Sequence, residues 1–249
     1  MSTPCSQVLA EVSARLLELV RPLAARTPHP RRVLDVGCWD GASTARYAAA
    51  LGCAASGVEI HPESADRAVA RGIEVARLDL ERDPFPWSDG AMDVVVCNQV
   101  FEHLKNVWLP MSEIFRVLRP GGTLLLSVPN LSSLHNRALL ALGRQPTSIR
   151  TLGPHVRGYT FGEIRDFVAF GGAFAIERTV GVGFYPFPAA MTRALCAVWP
   201  AASHTTIVMG NRRPVAPPPW QAWLAREMGE GLQTAYPEAA AAGAERHAR

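Results

Sequence analysis

Apolar residues first recur at helical spacing. Val8, Leu9, Val12, Leu16, Leu19 and Val20 share one face between Ser6 and Leu23, and Glu11, Arg15 and Glu18 lie off it. This pattern predicts an amphipathic helix. Pro28 and Pro30 then mark a linker over Arg26–Arg32. Beyond it, short apolar runs alternate with helix-period stretches. Strands are predicted at Arg32–Gly37, Ala54–Ile60, Glu74–Leu80, Met92–Val100 and Thr123–Val128. Helices are predicted at Gly41–Leu51, from Pro62 to about Arg71, and at Trp108–Arg119. Pro62 suits a first helical turn, and Pro120-Gly121-Gly122 stops the last helix. Arg82–Gly90, with two prolines and a Ser-Asp-Gly turn, reads as a loop. Strand–helix alternation of this kind predicts a parallel sheet.

The second half is less regular. A helix is expected around Leu134–Leu142. Thr160 and Glu163 form a capping box for a helix over Phe161–Phe170, which Gly171-Gly172 ends. Phe174–Val182 and Thr205–Gly210 are further strands, flanking an apolar segment, Phe184–Pro200, rich in Pro, Phe and Trp. From Pro214 the chain runs through three prolines into an alanine-rich end, expected to be a peripheral helix and a disordered tail. The organisation is therefore a helix over residues 1–30 covering the site, a domain over 31–213 with insertions at 131–160 and 184–204 on the substrate side, and a tail over 214–249.

Composition narrows the function classes. With 48% hydrophobic and 19% charged residues, the 249-residue chain can bury a sizeable core. The net charge of +3 is scattered, with no run of five basic residues, so no nucleic-acid partner is expected. Five cysteines without CxxC spacing exclude a zinc ribbon or a disulfide scaffold, and no metal is expected. No signal peptide is expected, and no apolar run reaches the roughly 20 residues needed for a span. A cytoplasmic protein without membrane contact is expected; its oligomeric state stays open, with a homodimer as one option.

The chemistry concentrates in Val33–Gly41, a buried strand turning through two glycines into a helix. Glycine lets backbone approach a ligand closely, and the first such turn of a doubly wound sheet is where nucleotide-like ligands lie. The G-x-G-x-x-G dinucleotide fingerprint is absent, and Trp39 would fill the space a pyrophosphate needs. A phosphate-binding Lys-Ser/Thr pair is absent too. A nucleoside without phosphates remains. Glu59, ending the second strand, can accept from two ribose hydroxyls. Asp79, on the third, can accept from an adenine amine, while the Leu80 N–H meets a ring nitrogen. Asp35 can assist an ammonium group.

At these residues the chain closely resembles the class I S-adenosylmethionine-dependent methyltransferases. The matching motifs are Val33–Gly41, Gly57–Ile60, Leu78–Leu80, Cys97–Leu104 and Leu118–Pro129. The resemblance covers Arg31 to Phe174 and weakens toward Gly210. It implies an α/β fold: a Rossmann-like, doubly wound, seven-stranded sheet, mostly parallel, with Thr205–Gly210 as one antiparallel strand. It implies S-adenosyl-L-methionine as cofactor and S-adenosyl-L-homocysteine as product. The binding residues would be Asp35, Gly37, Cys38, Trp39, Gly41, Glu59, Ile60, Asp79, Leu80, Asn98, Gln99 and His103. The family usually has glycine where this chain has Trp39, which would instead pack on cofactor or substrate.

Methyl transfer to a hydroxyl or ammonium needs a base. His155 and His103 are the candidates. The plainer alternative has Glu102 capping its turn and His103 packed under the cofactor. Arg157 could bind an acidic group and Tyr159 shape the pocket; alternatively Arg157 pairs with a surface carboxylate and Tyr159 lies in the core. Phe184, Tyr185, Phe187, Met191 and Trp199 could line an apolar pocket, form a core face, or touch lipid or a partner. His204 reads as structural. The expected function is methyl transfer to O or N of a small, moderately apolar metabolite (a sugar, polyketide, quinone or lipid-like molecule). A cofactor-binding regulatory or scaffold protein without turnover is the alternative. A nicotinamide oxidoreductase is disfavoured by the incomplete fingerprint.

Overall fold

The structure is a computed structural model, and it describes residues 4–26, 32–185, 187, 189–218 and 220. The expected linker and nearly all of the expected tail lie outside these residues. Among the described residues, no helix is long and apolar enough to cross a membrane.

Helices α1 (Pro4–Val20) and α2 (Leu23–Arg26) precede strand β1 (Arg32–Val36). There follow α3 (Ala42–Leu51), β2 (Ala54–Val58), α4 (Pro62–Ala70), β3 (Glu74–Ala76) and β4 (Met92–Asn98). Then come α5 (Trp108–Val117), β5 (Leu118–Pro129), α6 (Leu134–Ala141), α7 (Phe161–Ala169), β6 (Phe174–Val182), α8 (Ala189–Val198) and β7 (Thr205–Arg212). The seven strands form one sheet in the order β3-β2-β1-β4-β5-β7-β6. β7 runs antiparallel to both its neighbours, and every other pairing is parallel.

Alternation along the strands builds two cores. Leu34, Val36, Val95, Cys97, Leu124, Leu126 and Val208 face one side, where Met111, Ile114 and Phe115 of α5 and Ile164 and Val168 of α7 cover them. Val33, Val94, Val96, Leu125, Ile207 and Met209 face the other, against Val12, Leu16 and Val20 of α1 and Tyr47 and Leu51 of α3. Strands covered on both faces read as unbroken apolar runs, as Val94-Val95-Val96 of β4 does. β1 pairs with both β2 and β4, so strand order reverses at β1. The carboxyl ends of these strands form the crevice where open α/β sheets bind ligands.

Several boundaries differ from expectation, β2 and β4 each ending two residues early, at Val58 and Asn98. β3 stops at Ala76, so Asp79 lies in the turn beyond the strand. α5 ends at Val117 instead of Arg119, because the residues before Pro120 cannot continue a helix; Leu118 is already extended, at φ −76° and ψ 129°. β5 therefore contains the Leu-Arg-Pro-Gly-Gly run, and a register shift between Met92 and Val94 absorbs it. Finally, part of the apolar segment after Phe184 folds as α8. Of the expected tail, Trp220 is buried, its ring 5.5 Å from that of Phe115.

Candidate active site

The turn after β1 is built on Gly37 and Gly41, at φ +76° and +77°. A Cβ on Gly37 would lie 2.5 Å from Val100 Cγ2, and one on Gly41 2.9 Å from the Ala68 Cα. Glycine is thus required by backbone angle and by space. The Gly37 and Cys38 N–H groups both donate to the Val58 carbonyl, at 2.9 and 3.0 Å, tying the turn to β2. Glu59 is buried just past the end of β2. One carboxylate oxygen accepts from the Trp39 N–H (2.9 Å) and the other from the His61 N–H (2.8 Å). A carboxylate offers about four acceptor positions, so each oxygen keeps capacity for a hydroxyl.

Asp35 is buried on β1 and accepts from Thr44 Oγ1 at 2.5 Å. Burial pushes its carboxyl up to about 7. Asp79 organises the turn after β3: its carboxylate accepts from the Glu81 N–H (2.9 Å), and its own N–H donates to Asp83 (2.8 Å). Leu80 is half-buried against the larger core. Cys38 is buried, and burial drives its thiol up to about 12, so it is no nucleophile. Trp39 is 58% exposed, edge-on to His61 at 5.9 Å, and Ile60 is exposed beside it. Among the described residues, two non-glycine residues have positive φ, Trp39 (+51°) and Gln99 (+57°). They stand at the ends of adjacent strands, and such strain tends to collect at functional sites. Ser127 Oγ donates to Asn98 Oδ1 at 2.6 Å, and the Gln99 N–H donates to the Ser127 carbonyl at 3.1 Å, holding the end of β4 to β5.

After β4, a short 3₁₀ turn over Phe101–His103 carries the histidine motif. The Glu102 carbonyl accepts from the Val156 and Arg157 N–H groups, at 2.8 and 3.1 Å. This clamp brings His155 to His103, with ring centroids 4.8 Å apart and nearly perpendicular. Burial, with His155 alongside, lowers the pKa of His103. The Glu102 side chain is buried, and burial pushes its carboxyl up to about 8. Arg157 is committed to backbone: it donates to the carbonyls of Leu104 (3.1 Å) and Lys105 (2.6 Å). Tyr159 sits in the core rather than on an open wall, its hydroxyl donating to the Phe101 carbonyl at 3.3 Å. Phe184 is likewise buried, whereas Tyr185, Phe187, Met191 and Trp199 are exposed.

The family described as "Methyltransferase domain" matches residues 8–163. This chain belongs to that family. A protein of Mycolicibacterium smegmatis named "Probable S-adenosylmethionine-dependent methyltransferase" is 34% identical over 155 residues, 61% of this chain and 55% of the relative. The 27-O-demethylrifamycin SV methyltransferase of Amycolatopsis mediterranei is 30% identical over 130 residues, 49% of this chain and 46% of that protein. The chain spans about half the length of the curated relatives it matches. Among solved structures, magnesium protoporphyrin IX methyltransferase from Synechocystis with bound S-adenosylhomocysteine superposes with a TM-score of 0.57. Its sequence identity is 18%, with 85% of this chain and 88% of that chain covered. That likeness establishes the class I fold.

The turn of this chain fits the family's cofactor, S-adenosylmethionine. The glycines allow backbone approach, Glu59 keeps acceptor capacity for a ribose, and Trp39 and Ile60 expose apolar surface. Sequence reasoning did not connect two further histidines of this chain. His135 and His204 stack in parallel, with centroids 5.5 Å apart. Burial, with His135 and His155 nearby, pushes His204 down to about 4. The available signal was topological: an antiparallel β7 must start where β5 ends, so its leading His204 comes to the carboxyl ends of the parallel strands. A separate cavity of about 400 Å³ lies between α1, β6 and α8, lined by Arg15, Glu18, Thr179, Thr192 and Arg193 among others. Neither the glycine turn nor His103 or His155 borders it.

Proposed function

We propose that this chain transfers a methyl group from S-adenosylmethionine to an oxygen or nitrogen of a small, moderately apolar acceptor. The carrying observation is the buried Glu59 carboxylate at the lip of a turn that only glycines can make. When bound, the cofactor supplies an electrophilic methyl carbon on a sulfonium. The chain's residues then have four tasks. Glu59 takes the ribose hydroxyls and Asp79 the adenine amine, with Trp39 and Ile60 against the rings. Asp35, Asn98 and Gln99 border the amino-acid end. His155 and His103 each present Nε2 to take the acceptor's proton. α1 and the segments 131–160 and 184–204, with Tyr185, Phe187, Met191 and Trp199, wall off water on the acceptor side. An apolar acceptor is supported by those exposed apolar groups, and an oxygen acceptor by the relative whose name places a methyl on O-27 of a rifamycin.

Calorimetry with S-adenosylhomocysteine tests the cofactor half. Glu59→Ala and Asp79→Ala should each weaken binding by about 1–3 kcal/mol, the range for charge-assisted hydrogen bonds; unchanged affinity in both would refute the assignment. Labelled-methyl transfer into a metabolite extract tests turnover, and His155→Ala should lower kcat while leaving S-adenosylhomocysteine affinity intact. Trp39 in the customary glycine position keeps the regulatory reading in view; binding without any labelled product would select it.

A further inference from the structure

Three ligand-type side chains converge after β4. A carboxylate oxygen of Glu102 and one ring nitrogen each of His103 and His155 lie within 4.8 Å of one another. Glu102 is 1% exposed, and neither of its carboxylate oxygens has a hydrogen-bond partner. Buried polar groups are ordinarily satisfied, and a buried carboxylate calls for a charged or coordinating partner. The histidines are prepared in matching fashion. His155 Nδ1 lies 2.7 Å from the Ser148 carbonyl, and His103 Nδ1 lies 3.3 Å from the Pro154 carbonyl. A carbonyl only accepts, so each Nδ1 carries the proton and each Nε2 keeps its lone pair. A ring N–H held by a backbone carbonyl is the outer contact that metal-bound histidines usually make. The neighbouring His135 is committed elsewhere, its nitrogens 3.1 Å from Ser133 Oγ and 2.8 Å from Thr147 Oγ1.

We propose that Glu102, His103 and His155 bind one divalent first-row transition-metal ion, with zinc as the reference case. Two imidazoles and one carboxylate suit such an ion, whereas magnesium and calcium favour all-oxygen shells. Three protein ligands leave coordination positions open, as in catalytic zinc sites. A tetrahedral ion with bonds of about 2.0–2.2 Å holds its ligand atoms about 3.4 Å apart, so side-chain rotations of roughly an ångström close the set. The functional half rests on the methyl-transfer reading. With both Nε2 atoms as its ligands, an ion here would replace the histidines in the base role given above: it would hold an acceptor hydroxyl and favour its ionised form, the proton leaving to water. The acceptor class then becomes a phenol, enol or other acidic hydroxyl rather than an amine.

The test uses the full chain, stripped with a chelator, dialysed and titrated with cobalt(II), then with zinc(II) in competition. One cobalt per chain, with a visible spectrum lacking sulfur-to-cobalt charge transfer and displaced by zinc, is expected. His155→Ala and His103→Ala should each weaken cobalt binding at least tenfold, as should the near-isosteric Glu102→Gln. Because Glu102 is buried and its variant can lose the fold, the two histidine variants decide alone if it does. Parent-like affinity in both histidine variants, a sulfur charge-transfer band, or no binding by the parent overturns the site. S-adenosylhomocysteine calorimetry on the same stripped samples separates the two readings. Cobalt bound at these residues without any S-adenosylhomocysteine binding overturns the methyl-transfer reading and sustains the metal site, while the converse result does the opposite.

Discussion

Gly41 closes the turn by donating its N–H to the Cys38 carbonyl at 2.9 Å, in a backbone conformation that side chains disfavour. An added methyl would collide with the Ala68 backbone of α4, which cannot retreat as a flexible side chain would. Gly41→Ala should therefore lower unfolding free energy by about 1–3 kcal/mol, seen as a reduced urea midpoint with an unchanged slope; a parent-like midpoint would show that the turn relaxes freely. The same residues show what one sequence can reveal. Gly37, Gly41 and Glu59 were legible because their roles are local: a sharp turn and a carboxylate at a strand's end. Asp79 was harder to place. Its strand is short, and its side chain also has a turn to organise, which no apolar pattern reports.

Among the elements, α5 shows how a helix secures the loop before it. Arg116 forms paired hydrogen bonds to Glu113 at 2.9 and 2.7 Å and also donates to the carbonyls of Phe85 and Trp87. Glu113 in turn accepts from the Phe85 N–H at 2.7 Å. Removing the guanidinium leaves a buried carboxylate without its counter-charge. Because Arg116 is partly exposed, the loss in Arg116→Met should be about 2–4 kcal/mol, below a fully buried pair's. Amide hydrogen exchange should rise first in residues 85–90; if protection there stayed at the parent level, the loop would be held by its aromatic side chains instead. Elements with a regular apolar period, such as α1, α7 and β6, were readable directly. α8 was obscured by the prolines and aromatics around it. The end of α5 was overread because apolar spacing runs on past the point where Pro120 forbids helix.

For the whole molecule, burial of charge sets a pH dependence. The folded-state pKa of Asp35, about 7, lies above its ordinary value of 3.8. The native state therefore holds that proton more tightly, and stability falls as pH rises between these values. Asp35→Asn removes the effect and leaves an acceptor for Thr44. Its stability relative to the parent should rise by about 4 kcal/mol between pH 4 and 8, measured by denaturant titration of the ligand-free protein. A constant difference across that range would mean that water reaches the parent carboxylate. Fold class was legible at this scale because alternating strands and helices permit few arrangements. The meeting of His135, His155 and His204 was not, since it depends on long-range pairing. That pairing has a consequence for biogenesis. β7 lies between β5 and β6 but follows both in the chain, so during translation the β5 rim waits, hydrogen-bonding groups bare, until Thr205–Arg212 leaves the ribosome. Chains released before that point would carry an adhesive flank, the kind that recruits other unfinished chains.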